Sequence, residues 1–238
     1  MRERCQKGIS SDALKVIAML TMLIDHIGAA VLERGLLEQG NRILYADLVM
    51  RGIGRISFPI FCFLLTEGFV YTHSRKKYIG NMGLFAILSE IPFDLAFCGK
   101  FTWEKQNVYL TLFIGLFTLY VIDEIGHMGT SLWETAILMI FTVISGACVA
   151  QELHADYGAF GVILIVCFYL ARNNRVQQCF YGALCLIWES ASIFAYPLIY
   201  CYNGKRRLKR GKYFWYAFYP LHLILLYLLH MFLDGFYF

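Results

Sequence analysis

The sequence predicts an all-α fold, a polytopic transmembrane helix bundle of about eight to ten helices with its N-terminus in the cytoplasm. Three observations carry this. Apolar residues make up 59 % of the 238 and charged residues only 16 %, with a mean hydropathy of +0.57. A water-soluble surface needs more charge than that. The apolar residues gather in long runs, near 13–32, 54–73, 79–98, 108–122, 132–150, 157–171, 177–202 and 213–233. Lys and Arg cluster between these runs, in positions that a bundle with divided crossings gathers on the cytoplasmic side. The composition excludes a disordered chain, a disulfide scaffold and an ordinary nucleic-acid-binding module. It also leaves no room for a soluble catalytic domain.

Residues 1–12 read as a cytoplasmic tail, and 13–238 as a single membrane-embedded domain. The first run contains Asp25 and His26 and has no small-x-small cleavage site, so it reads as a retained helix rather than a signal peptide. All runs must be helical, because a backbone in lipid has to satisfy its own hydrogen bonds and no alternating ten-residue strand pattern occurs. The run 177–202 is interrupted by Glu189, Ser190 and Pro197, and reads as one crossing or as two short or re-entrant helices. The second reading places four basic clusters inside: Arg2, Arg4 and Lys7; Arg75, Lys76 and Lys77; Arg172 and Arg175; and the six cations between Lys205 and Lys212. Arg34, Arg42, Arg51, Lys100 and Lys105 then fall outside. Cys5, Cys62, Cys98, Cys148, Cys167, Cys179, Cys185 and Cys201 have no metal-like spacing and read as buried, reduced thiols. Tyr78, Trp133, Tyr213 and Trp215 read as interface anchors.

The first helix carries the sharpest chemistry. A charged residue within a span is costly and marks a functional site by default. Lys15 and His26 are eleven residues apart. Eleven steps of about 100° end some 20° past three full turns, so both side chains share a face, about 16 Å apart along the axis. A cation at the mouth holds an anion, and an imidazole at depth accepts a proton. Asp25 adjoins His26 but points about 100° away. The competing reading is a buried polar cluster that fixes helix packing.

Other polar constellations divide between structural and chemical readings. Arg55 opens the second run, which contains Glu67 and leads to Arg75-Lys76-Lys77. That basic cluster suits a phosphate, a lipid headgroup or a topology signal. Glu90 and Asp94 share a helix face around Pro92 and call for a polar cavity or a basic partner such as Arg55 or Lys15. Asp156 reads as the N-cap of the sixth span or as a cavity residue. Tyr219 and His222 lie in the last helix, with His230 on a nearby face, in packing or acceptor-contacting roles. His127 and His154 fall in short loops.

The segment SDALKVIAMLTMLIDH resembles the first helix of the acyltransferase-3 group of membrane acyltransferases, in which an Arg or Lys precedes an essential His by the same interval. The whole chain resembles the TraX family more closely. LKVIAMLTMLIDHIG, GRISFPIFCFLLTEGF, LSEIPFDLAF, ADYGAFGVILI, YNGKRR and YPLHLILL carry that resemblance. It implies a multi-pass enzyme of the plasma or inner membrane that takes acetyl-CoA, or another acyl-CoA, as co-substrate and needs no metal. His26, with Asp25, takes the catalytic position. Lys15, Arg55, Arg75, Lys76 and Lys77 take the CoA-phosphate position, although R-K-K replaces the R-x-x-R of the acyltransferase-3 group. Glu67, Glu90, Asp94, Asp156, Tyr219 and His222 line a secondary polar cavity. The implied acceptor is an amine or hydroxyl on a pilin-like N-terminus, a peptide or a sugar. Membrane lipids are the other expected partners, and nucleic acid is not one. The alternatives are a proton-coupled transporter that uses Asp25, His26, Glu67, Glu90 and Asp94, and a non-catalytic pilus assembly factor. The missing internal repeat counts against the transporter.

Overall fold

A computed structural model describes residues 8–33, 41–205 and 212–234. Cys5 and the cations Arg2, Arg4, Lys7, Arg34, Arg206, Arg207, Lys209 and Arg210 lie outside the described residues. Among the described residues the fold is all-α, with no β-strand and two isolated bridges. Six stretches are long and apolar enough to cross a membrane: Ser11–Leu32, Ile43–Tyr71, Arg75–Cys98, Val108–Ile125, Leu132–Glu152 and Tyr213–Leu233. Gly158–Leu170 and Ser190–Tyr200 are shorter apolar helices. The protein is therefore a multi-pass membrane protein built as an all-α bundle.

The chain forms two compact units. The first comprises Met1–Phe61, Leu88–Thr102 and Ile187–Phe238, and the second Cys62–Ile87 and Trp103–Leu186.

The first unit starts with α1 (Ser11–Ile27), whose N-cap Ser10 accepts from the Ala13 amide at 3.3 Å. It continues as a π-helical turn, Gly28–Leu32. α2 (Asn41–Gly54) packs beside it. The apolar run from residue 54 leaves 41–53 outside any expected helix, because Asp47, Arg51 and the glycines break the apolar pattern there. Arg51, assigned to an outer loop, belongs to this helix. After Gly54 the chain turns, and the Ser57 hydroxyl donates to the Gly54 carbonyl at 2.8 Å, satisfying a group freed at the helix end. α3 (Ser57–Tyr71) follows, then α4 (Arg75–Cys98), which contains Pro92. Both helices run on from one unit's residues into the other's.

Two short elements, the 3₁₀ turn Ser190–Phe194 and the six-residue helix Ala195–Tyr200, follow a break after Cys185. The run 177–202 is thus divided, as its Glu189, Ser190 and Pro197 foretold. The last helix, Lys212–Asp234, runs parallel to α1. Ala30, Val31 and Leu226 form a core there, with Leu23, Ile27, Phe97 and Leu233 around it.

The start of α1 is clasped to the segment before the last helix. Ile9 N donates to Cys201 O at 2.8 Å, Asn203 N to Ile9 O at 2.9 Å, and Ser11 N to Lys205 O at 3.0 Å. The Asn203 side chain donates to Gly8 O at 2.6 Å and accepts from Lys205 N at 2.9 Å. Gly204, at φ 74°, makes the turn that brings Lys205 back.

In the second unit, α5 (Val108–Ile125), α6 (Leu132–Glu152), α7 (Gly158–Leu170) and α8 (Arg175–Cys185) pack in sequence. With these labels the 195–200 helix is α9 and the last helix α10. Ile114, Ala150 and Val162 centre the unit's core. The outer face of α6, with Leu132, Trp133, Ile137 and Phe141 exposed, is suited to lipid tails. Asp156 does not cap α7. The chain enters that helix through Tyr157 at φ 65°, and Gln151 Oε1 accepts from the Ala159 amide at 3.4 Å. Asp156 is exposed, and its backbone accepts from Thr111 Oγ1 and donates to Gln106 O. The seven described cysteines are free thiols, but only Cys62 is fully buried, while Cys98, Cys148 and Cys201 are exposed. Cys167 and Cys185, far apart in sequence, meet at 3.6 Å.

Candidate active site around His26

Three helices of the first unit position His26. It sits in the last turn of α1, where the helical period turns it toward α10. There its ring meets the Tyr219 ring edge-on at 5.9 Å and lies nearly parallel to the His222 ring, 9° apart with centroids at 4.9 Å. Phe97 of α4 closes a third side at 5.1 Å. His26 Nδ1 is 2.7 Å from His222 Nε2, and His222 Nδ1 is 2.7 Å from the Phe218 carbonyl. The Nδ1 edge of the imidazole thus meets a polar group within an aromatic enclosure.

Asp25 points elsewhere, as the helical period requires, and reaches α2. Its Oδ2 lies 2.8 Å from Arg51 Nη1 and 4.0 Å from His26 Nε2. Arg51 Nε lies 3.2 Å from Glu33 Oε1, so one guanidinium joins two carboxylates. Two glycines let the helices approach. A Cβ at position 54 would overlap the Asp25 side chain, and one at 28 would sit 2.8 Å from Oδ1 of the buried Asp47. Small residues serve this purpose in membrane packing. Sequence reasoning missed Arg51, Glu33 and Phe97. The available signal was the pair Arg51 and Arg55, four apart within an otherwise apolar, glycine-bearing stretch.

Lys15 lies on the same face as His26. Its Nζ stands 5.2 Å over the Trp215 ring of α10 and 4.0 Å from Asp12 Oδ1. Trp215 therefore covers a lysine in addition to its expected place at the span end. Arg55 Nε is 3.1 Å from Glu189 Oε2, at the break that precedes the 3₁₀ turn. Asp94 is fully buried and its Oδ2 accepts from the Thr102 amide at 3.0 Å, tying down the loop after α4. Glu90 lies one turn before it on α4.

The remaining predicted site residues belong to the second unit. Arg75, at the start of α4, pairs with Asp123 near the end of α5, and Tyr169 donates to the other oxygen of that carboxylate at 2.7 Å. Arg75 also stands over the Phe69 ring at 4.8 Å. Lys76 and Lys77 are exposed. Glu67 is buried with Arg175 Nη2 at 4.0 Å, and Arg175 stacks over Phe63 at 4.5 Å.

Comparison with known proteins adds the family. The chain is 27 % identical over 255 residues to the probable fimbrial assembly protein FimC, serogroup H1, of Dichelobacter nodosus, covering 94 % of this chain and 97 % of that protein. It is 24 % identical over 169 residues to the uncharacterized protein RP591 of Rickettsia prowazekii (strain Madrid E), covering 70 % of this chain and 57 % of that one. No solved structure matches. The family model described as TraX protein matches residues 10–230, which include α1, the His26 enclosure and nearly all of α10, and on that match the chain belongs to the TraX family.

Proposed function

We propose that this protein is an acyltransferase of the plasma or inner membrane. It carries an acetyl group from cytoplasmic acetyl-CoA to an amine or hydroxyl acceptor in the course of pilus assembly. The single observation that carries the reading is the seat of His26: an imidazole within a span, enclosed by Phe97 and Tyr219, and met by His222 along one ring edge. A group so costly to bury is retained for chemistry. The name of the Dichelobacter nodosus relative supports the pilus setting. The family supports an acceptor at the N-terminus of a small pilin-like membrane protein.

In this reading His26 is the general base. The acceptor nitrogen or oxygen attacks the thioester carbonyl carbon while its proton passes to the imidazole. The new C–N or C–O bond forms, the C–S bond breaks, and the departing thiolate collects the proton from the imidazolium. Asp25 Oδ2 lies 4.0 Å from His26 Nε2. Lys15, about 16 Å away along the same helix face, is one of the cations assigned to the CoA phosphates.

The test is transfer from labelled acetyl-CoA to a synthetic pilin N-terminal peptide by protein in lipid nanodiscs. Wild type transfers label, and folded His26→Ala does not. Equal transfer by the two proteins rejects His26 as the base, and absence of transfer by wild type rejects the acetyltransferase reading. Stabilisation against heat by CoA separates this function from transport, because a proton-coupled carrier has no reason to bind it.

A further inference from the structure

We infer that His222 is a positioning residue: it fixes the tautomer of His26 and leaves Nε2 of His26 as the bare nitrogen that takes the proton. The inference rests on the reading of His26 as the base. It starts from a backbone carbonyl, which has lone pairs and no proton. His222 Nδ1 lies 2.7 Å from the Phe218 carbonyl, so Nδ1 must carry the hydrogen and donate it. A neutral imidazole has one N–H, so His222 Nε2 is then bare and accepts. Its partner at 2.7 Å is His26 Nδ1, which must therefore be the donor. His26 has now used its only N–H, and its Nε2 keeps a free lone pair. Reversal of either tautomer would set two lone pairs against each other at 2.7 Å.

The ring geometry agrees. The two imidazoles are within 9° of parallel, with 4.9 Å between centroids and 2.7 Å between the facing nitrogens. So short a nitrogen gap at that centroid distance requires the rings to meet edge to edge, along the direction in which an imidazole N–H points. His222 is itself held. It stacks on Phe218 one turn earlier, at 4.9 Å and 18°, and is 5 % exposed. The chain of donors runs one way, from His26 Nδ1 to His222 Nε2 and from His222 Nδ1 to the Phe218 carbonyl. A carboxylate performs this orienting task for histidine in other catalytic sites. Here a second histidine and a carbonyl perform it.

The arrangement also accounts for where Asp25 stands. The bare His26 Nε2 is the atom 4.0 Å from Asp25 Oδ2, and that carboxylate is anchored by Arg51. When Nε2 takes the acceptor's proton, the nitrogen that carries it stands 4.0 Å from the carboxylate. The Nδ1 proton can then pass to His222 Nε2, which spreads the charge over both rings with no atom gained or lost.

The decisive measurement is the nitrogen NMR spectrum of the full chain in nanodiscs, with histidine labelled at both ring nitrogens and His26 assigned by difference. The wild-type spectrum should show His26 with Nδ1 protonated and Nε2 bare, and His222 with Nδ1 protonated. In His222→Phe the His26 signals should shift to the opposite tautomer or to a mixture. In His222→Gln, whose Oε1 can accept from Nδ1, they should return toward wild type. Transfer should follow: kcat falls about 100-fold or more in His222→Phe, with the KM for acetyl-CoA unchanged, and recovers in part in His222→Gln. A wild-type His26 protonated at Nε2, or a tautomer indifferent to position 222, overturns the inference. The spectrum reads the tautomer whether or not acetyl is transferred, so failure of the acetyltransferase reading is recognised separately.

Discussion

Gly54 of α2 packs against the side chain of Asp25 of α1 with no room for even a methyl group between them. That contact brings Arg51, one turn earlier on α2, to 2.8 Å from the same carboxylate. Gly54→Ala should push α2 away and lengthen the Asp25–Arg51 pair. Overpacking of this kind costs about 1–3 kcal/mol. The expected result is a lower midpoint in denaturant together with loss of acetyl transfer. Gly52, whose Cβ would meet nothing within 4 Å, is the internal control, and Gly52→Ala should keep both.

The Arg51–Asp25 pair is open to a double-mutant cycle. Both side chains are largely buried, so removal of Arg51 takes the guanidinium from the Asp25 carboxylate, at a cost of about 3 kcal/mol or more, whereas removal of Asp25 leaves Arg51 its second carboxylate, Glu33. Arg51→Gln should destabilise strongly, and Asp25→Asn less, because Glu33 still meets the guanidinium. The double variant should recover a large part, because the neutral amides can hydrogen-bond each other. A coupling energy near zero would mean that Glu33, not Asp25, is the true partner of Arg51.

How much of this was legible in the sequence follows the range of the forces involved. The Lys15–His26 register is local, set by the helical period, and both residues do lie against α10, beside Trp215 and His222. The apolar runs located the long helices because lipid demands continuous hydrophobicity. α2 was invisible because its apolar face is interrupted by Asp47 and Arg51, two residues whose burial depends on a neighbouring helix. No periodicity encodes which carboxylate Arg51 meets, or that His222 lies 196 positions beyond His26 yet touches it. Asp156 misled because aspartate ahead of a glycine-rich helix start favours a cap, whereas a left-handed residue at Tyr157 and the reach of Gln151 satisfied that helix start instead.

Arg75, Lys76 and Lys77 looked alike in sequence, and the structure separates them. Arg75 is committed to Asp123, while Lys76 and Lys77 are exposed. Arg75→Gln should therefore act on stability, by on the order of 1–2 kcal/mol given its partial exposure. Lys76→Glu with Lys77→Glu should leave stability unchanged and weaken acetyl-CoA binding about tenfold or more by calorimetry. Unchanged affinity would assign the two lysines to lipid headgroups or topology.

The clasp at Asn203 ties the start of α1 to the segment before α10. Asn203 is 6 % exposed, and its side chain serves Gly8 O and Lys205 N at once. Asn203→Ala leaves a carbonyl and an amide without these partners, at about 1–3 kcal/mol for each group that water cannot reach. Asn203→Asp keeps the acceptor for Lys205 N but loses the donor for Gly8 O and sets a carboxylate against that carbonyl, so it should be as damaging as alanine. Gly8→Ala attacks the same clasp from its N-terminal side, since its Cβ would overlap the Cys201 carbonyl. All three variants should lower the thermal midpoint and open the start of α1 to proteolysis, while the His26 tautomer spectrum stays as in wild type at temperatures where the bundle is folded. A tautomer change in Asn203→Ala would show that the clasp reaches through the length of α1 to the imidazole.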